Sequence, residues 1–169
     1  MNIGFIGLGP LGEPIAGNLM AWCRDHGCHL YVWDPSAEAM SRLVKSGARH
    51  GQDPASIAQR CTVLLSVLPA PEDVSALALG ENGVLDNADG LDIWIELSPF
   101  YNARWEQFID AVPEGLIMVD APVKGSIEAA EEGTLTVEFE GQSQVFHRYK
   151  NLLEAFSIHS TLIKPENSR

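Results

Sequence analysis

The chain has 169 residues, 46% of them hydrophobic and 20% charged, ordinary proportions for one soluble globular domain with a sizeable core. A formal net charge of −12 excludes a nucleic-acid or acidic-membrane surface, since either partner needs clustered Lys and Arg. No apolar run approaches a membrane span, and the N-terminus lacks the basic start and cleavage site of a signal peptide, so a cytoplasmic location is expected.

An apolar run, Ile3 to Ile6, leads into Gly7-Leu8-Gly9-Pro10-Leu11-Gly12 and then into a helical pattern. Strand, glycine turn and helix, in that order, are the context a dinucleotide fingerprint requires. In such a loop Gly7 permits the tight turn, Gly9 lets the backbone approach a pyrophosphate, and Gly12 allows the helix to pack close to the strand. The helix aims unpaired amides and the positive end of its dipole at the phosphates. Pro14 suits its first turn, where a missing N–H costs nothing.

Strand and helix patterns then alternate. His29 to Asp34 reads as the second strand, with Asp34 at its end, 22 residues after Gly12. A carboxylate there accepts hydrogen bonds from the adenosine ribose and repels a 2′-phosphate, so NAD is expected; Arg42 keeps NADP open. A role for Asp34 as a helix N-cap is compatible with this, because one carboxylate can end a strand near a cap. A helix runs from Pro35-Ser36 to about Lys45, stopped by Gly47, and Asp53-Pro54 caps a short helix. Thr62 to Leu68 is a buried strand ended by Pro69 and Pro71, and a helix follows from Glu72. Asp92 to Leu97 is a strand and Asn102 to Ala111 a helix. Leu116 to Val119 and Thr134 to Phe139 are strands, the second with period two. Gln144 to Phe156 is helical, with Val145, Tyr149, Leu152, Leu153 and Phe156 on one side.

The expected fold is therefore α/β: a Rossmann-like, doubly wound, mostly parallel sheet with helices on both faces. It covers residues 1–157, and residues 158–169 read as a polar tail. Cys23, Cys28 and Cys61 lack metal-ligand spacing and read as free thiols, Cys61 as a small core residue. The five histidines form no metal-ligand pair on a helix, and no G-x-S-x-G elbow is present. The acidic residues Glu128, Glu131, Glu132, Glu138 and Glu140 read as a solvated face.

Three segments together resemble the β-hydroxyacid dehydrogenase family, which includes 3-hydroxyisobutyrate and 6-phosphogluconate dehydrogenases. They are the run from Gly4 to Leu19, Leu65-Ser-Val-Leu-Pro69, and Asp120-Ala-Pro-Val-Lys-Gly-Ser126 with Glu132-Gly-Thr-Leu-Thr136. The resemblance implies hydride transfer between a nicotinamide and a small hydroxy acid. It implies that Gly7, Leu8, Gly9, Pro10, Leu11, Gly12 and Asp34 hold the dinucleotide. Leu68 and Pro69 would line it, and Ser98 would stand near the nicotinamide. Lys124, Gly125 and Ser126 would hold the substrate carboxylate, with Lys124 as a point charge.

This chain departs from the family pattern in three ways. The substrate loop reads Lys124-Gly125-Ser126 where the family has Ser-Gly-Gly. Glu96-Leu97-Ser98-Pro99 replaces Asp-x-Ser-Thr. No Lys-x-x-x-Asn pair follows the domain, and Lys164 with Asn167 does not replace it, because Pro165 lies between them. The family's C-terminal helical domain, with its catalytic lysine, is therefore not expected within these 169 residues. Catalysis by this chain alone is expected to be inefficient, because hydride transfer needs a placed proton donor and a water-free site. The alternative is a non-catalytic dinucleotide-binding or partner-binding module. Without the helical half, apolar surface near the C-terminal helix would favour a weak homodimer or a protein partner.

Overall fold

A computed structural model describes residues 1–99 and 105–163. In chain order the elements are β1 (Asn2–Ile6), α1 (Gly12–His26), β2 (His29–Trp33), α2 (Ala37–Lys45), β3 (Arg49–His50), α3 (Pro54–Arg60), β4 (Val63–Ser66) and α4 (Pro71–Leu79). They continue with β5 (Ile93–Glu96), β6 (Ile117–Asp120), β7 (Val123–Lys124), α5 (Ile127–Glu132), β8 (Leu135–Glu140), α6 (Ser143–Leu153) and β9 (Ser157–Ile163). Short 3₁₀ segments lie at Leu85–Asn87 and Trp105–Ala111.

The strands join in one sheet of order β3-β2-β1-β4-β5-β6-β8-β7, with β9 paired to β8. The first six are parallel, and their 3-2-1-4-5-6 order is that of a Rossmann dinucleotide-binding sheet. Chain order reverses between β1 and β4, and ligands of such sheets bind outside the carboxyl ends of the strands at that point. β8 runs antiparallel to β6 and β7.

Parallel strands covered on both faces need apolar side chains in both directions, and β4 and β5 are buried along their whole length. Ile3, Phe5, Leu65 and Ile95 point into one core with α1, α2 and α6. Ile6, Leu64 and Trp94 point into the other with α3 and α4. In β8, by contrast, Leu135, Val137 and Phe139 are fully buried while the intervening Thr136, Glu138 and Glu140 lie toward solvent. Asn18, midway along α1, donates to the carbonyls of Ala130 (2.7 Å) and Glu131 (3.3 Å), tying that helix to the end of α5.

The structure corrects four local readings. Residues Ser157–Ile163 form β9, paired in parallel along β8, where composition predicts a polar tail from 158. Its exposed residues mix polar His159 and Thr161 with apolar Ile158, and composition does not reveal that its backbone is paired. Trp105–Ala111 is a 3₁₀ segment, not an α-helix, and it ends before Pro113. Residues 102–104 of that expected helix lie outside the described residues, as do Lys164 and Asn167. On α6 the apolar face also includes Phe146, buried against Phe139 of β8, while Val145 is only partly buried. Helix α5, which the sequence pattern does not predict, fills the connection between β7 and β8.

The expected cap on α3 is a complete capping box. Asp53 Oδ1 accepts from the Ser56 amide (2.7 Å), and Ser56 Oγ accepts from the Asp53 amide (3.2 Å). Asp53→Ala is expected to cost about 1 kcal/mol. That corresponds to a fall in Tm of roughly 2–4 °C in a circular-dichroism melt, and an unchanged Tm would show that the box adds nothing.

Candidate dinucleotide and substrate site

The glycines of the first loop have separate physical causes. Gly7 has φ +100°, and a Cβ on it would stand 1.9 Å from the Val67 carbonyl oxygen. A Cβ on Gly12 would stand 2.0 Å from the carbonyl oxygen of Gly7, so α1 sits directly against the loop. Both are demanded by the fold. Around Gly9, however, no described atom lies within 4 Å of where a Cβ would be. Nothing inside the chain needs a glycine there, and the open space fits a phosphate pressed against the backbone. Leu11, the residue preceding α1, offers no side-chain cap; the Glu13 amide donates to the Gly9 carbonyl (3.0 Å) and Pro14 carries no N–H, which leaves the Gly12 amide at the helix start to an anion. The loop therefore fits a dinucleotide pyrophosphate.

Asp34 stands beside this loop. Its Oδ2 accepts from the Leu8 amide at 2.7 Å and its Oδ1 from the Ser36 amide at 2.8 Å. The capping alternative is corrected: Ser36 is the N-cap of α2, its Oγ accepting from the Ala39 amide at 3.3 Å. A carboxylate accepts about two hydrogen bonds per oxygen, so capacity for ribose hydroxyls remains. Arg42 grips Glu13 on α1 through Nε (2.5 Å) and Nη2 (2.9 Å), in a bidentate pair. That pair holds the Glu13 carboxyl below the usual carboxylate range.

At the carboxyl ends of β4 and β5 lies a buried polar network. Ser66, Glu96 and Ser98 are at most 2% exposed within otherwise apolar surroundings. Trp94 Nε1 donates to Ser66 Oγ (2.8 Å), and Ser66 Oγ donates to Glu96 Oε2. Glu96 Oε1 accepts from the Ser98 amide (3.1 Å) and from Ser98 Oγ, which in turn accepts from the Leu68 amide (2.7 Å). Burial pushes the Glu96 carboxyl up to about 7, against the pull of its serine donors and with a further push from Asp120. Sequence reasoning picks out Leu68 and Ser98 but gives no role to Ser66 or Glu96. The available signal is a serine and a glutamate closing two otherwise apolar, fully buried strands.

A cleft of about 240 Å³ opens beside this end of the sheet, lined by Leu11, Pro99, Pro122, Val123, Lys124 and Gly125. It brings the end of the glycine loop next to the expected substrate loop. Lys124 is exposed at its rim and donates to Glu138 on β8 at 2.7 Å. Gly125 has φ +140°, and a Cβ on it would meet Leu135 at 2.7 Å. Ser126 is the N-cap of α5, its Oγ accepting from the Ala129 amide at 3.0 Å. Cys61 is buried, and its thiol is pushed up to about 12 by desolvation, as expected for a core residue. Among the described residues no group of three or more His, Cys, Asp or Glu could hold a metal, and no helix is long and apolar enough to cross a membrane.

Sheet order, glycine loop and open Gly9 define a dinucleotide-binding domain of the Rossmann class. Residues 2–163 match the NAD-binding domain of 6-phosphogluconate dehydrogenase, and the chain belongs to that family. It is 32% identical over 154 residues to a 3-hydroxyisobutyrate dehydrogenase of Pseudomonas aeruginosa, covering 90% of this chain and 50% of the relative. An NAD-dependent L-serine dehydrogenase of the same organism is 34% identical over 155 residues, covering 91% of this chain and 51% of the relative. The fold also superposes on 3-hydroxyisobutyrate dehydrogenase of Mycobacterium tuberculosis with a TM-score of 0.83 at 24% identity, over 96% of this chain and 54% of the other. A structure described as Psf3 in complex with NADP+ and 2-OPP superposes at 0.82 with 27% identity, over 97% of this chain and 57% of the other. The chain thus spans about half the length of the relatives it matches.

Glu96 has a consequence for stability. Its folded-state value, about 7, lies above its ordinary 4.5, so between those pH values the native state holds a proton that the unfolded state has lost. The stability this group contributes is full below about pH 4.5, falls as pH rises towards 7 and stays low above it. Relative to Glu96→Gln, the wild-type protein is expected to lose up to about 3 kcal/mol between pH 4.5 and 7.5, read by urea unfolding at each pH. A stability difference between the two proteins that is constant across this range would refute the assignment.

Proposed function

We propose that this chain is the NAD-preferring, cofactor-binding half of a hydroxyacid dehydrogenase-like oxidoreductase. The observation that carries the reading is the open Gly9 above the uncapped start of α1, with the Asp34 carboxylate beside it. In this reading, the amides around Gly9, Leu11 and Gly12 bind the pyrophosphate, and Asp34 binds and orients the adenosine ribose. Leu68, Pro69 and Ser98 border the nicotinamide. Lys124 and Gly125 hold the carboxylate of a small hydroxy acid in the cleft. The bound dinucleotide supplies a hydride donor and acceptor at that end of the sheet. The proton donor and the cover that excludes water come from a helical half beyond the domain, as the resemblance implies.

The preference for NAD rests on two further features. Asp34 would repel a 2′-phosphate, and Arg42 is engaged by Glu13 and so is not available to neutralise one. Calorimetric titrations with NADH and NADPH side by side are expected to show NADH binding at least tenfold more tightly. Tighter NADPH binding, or no binding of either, would overturn the reading. Glu13→Gln frees Arg42 and is expected to narrow that gap. Gly9→Ala is expected to weaken NADH binding at least tenfold while leaving Tm within about 2 °C of wild type, because a Cβ there meets open space.

A further inference from the structure

The network at the ends of β4 and β5 is wired in one direction. Ser66 Oγ accepts from Trp94 and therefore has its own proton to give to Glu96; Ser98 Oγ accepts from the Leu68 amide and likewise gives its proton to Glu96. With the Ser98 amide added, three donors converge on one carboxylate that is 2% exposed. Every donor in this arrangement is satisfied when Glu96 is ionised. The three donors fill three of the carboxylate's four acceptor sites, so a proton added at Oε2 removes the charge and leaves them in place. The network thus holds a negative charge in a low-dielectric site, one hydrogen bond from Ser98 and two from the Leu68 amide. Both residues border the nicotinamide in the function proposed above.

We propose that Glu96 is a positioning residue that sets Ser98 and the Leu68 amide, and that its buried charge favours the oxidised dinucleotide over the reduced one. The inference rests on the proposed nicotinamide placement. The two redox states share their adenosine and phosphate groups, and the oxidised ring carries one additional positive charge. A fixed anion close to the ring therefore acts on their difference alone. The charge opposite Glu96 on β6 is Asp120, its register partner, which adds to the negative field. Glu72 and Asp73 begin α4, which packs on the same face of the sheet, and Asp110 lies on the 3₁₀ segment Trp105–Ala111. On β4 the facing group is the neutral Ser66.

Titration of the purified chain with NAD+ and NADH across pH 5.5 to 8.5 tests this, with ADP-ribose as the reference for everything except the ring. As Glu96 ionises with a midpoint near pH 7, the ratio of the NADH Kd to the NAD+ Kd is expected to rise about tenfold, a size set by a unit charge within several ångströms of the ring. In Glu96→Gln the ratio is expected to stay flat, while ADP-ribose binds as in wild type. Glu96→Asp, which keeps the charge, is expected to restore the pH dependence. A flat ratio in the wild-type protein overturns the inference whether or not Glu96→Gln folds, and so does a ratio that rises equally in a folded Glu96→Gln. Should ADP-ribose bind but neither full dinucleotide bind more tightly than it does, the nicotinamide placement fails and this inference with it. Failure of all three ligands to bind overturns the proposed function itself.

Discussion

The close seating of α1 against the end of β1 is the constraint on which the rest of the structure depends. Gly12 lies so near the carbonyl of Gly7, and Gly7 so near that of Val67, that neither position has room for a Cβ. This contact brings the start of α1 over the junction of β1 and β4, where the sheet reverses its chain order. An uncapped helix start placed there presents amides and a positive dipole end to whatever occupies the crevice. The strongly acidic chain thus obtains local attraction for an anion from backbone geometry, without a basic surface.

Around that junction the polar side chains form braces. Asp34 ties the glycine loop to the turn before α2, and Glu13 ties α1 to α2 through Arg42. Glu96 ties the ends of β4 and β5 together through two serines. Each brace joins segments far apart in sequence, so the loops that face the cleft are held by elements packed in the core. A site built on rigid elements keeps its geometry better than one built on loops alone. The buried carboxylate is the costly member of the set, and the three donors it accepts are the compensation a desolvated charge requires.

Departures from the family pattern at the expected substrate loop fall into two kinds. Lys124, at the rim of the cleft, brings a charge that reaches both Glu138 and the opening. Ser126 caps α5, so a hydroxyl gained in the sequence is used in forming a local helix. The same residue type in the same loop can thus serve the fold instead of the ligand, and only its hydrogen-bond partner tells which.

Much of this is legible in the residues themselves. The glycine spacing, the apolar runs of β1, β4 and β5, the period-two pattern of β8 and the cap on α3 are local signals, because steric limits and burial act over a few residues. They are enough to read a doubly wound sheet and a dinucleotide loop, and to single out Asp34, Leu68 and Ser98 as candidates. What they do not contain is pairing and partnership. Whether Ser157–Ile163 is a tail or an edge strand depends on a backbone ladder to β8. Whether Asp34 caps a helix or braces a loop depends on an amide 26 residues away. The Glu96 network exists only because adjacent parallel strands bring Ser66 and Glu96 into register. Local chemistry determined most of the elements and the phosphate loop. The tertiary structure alone decided which polar groups meet, since hydrogen bonds between distant segments form only when the sheet has brought them together.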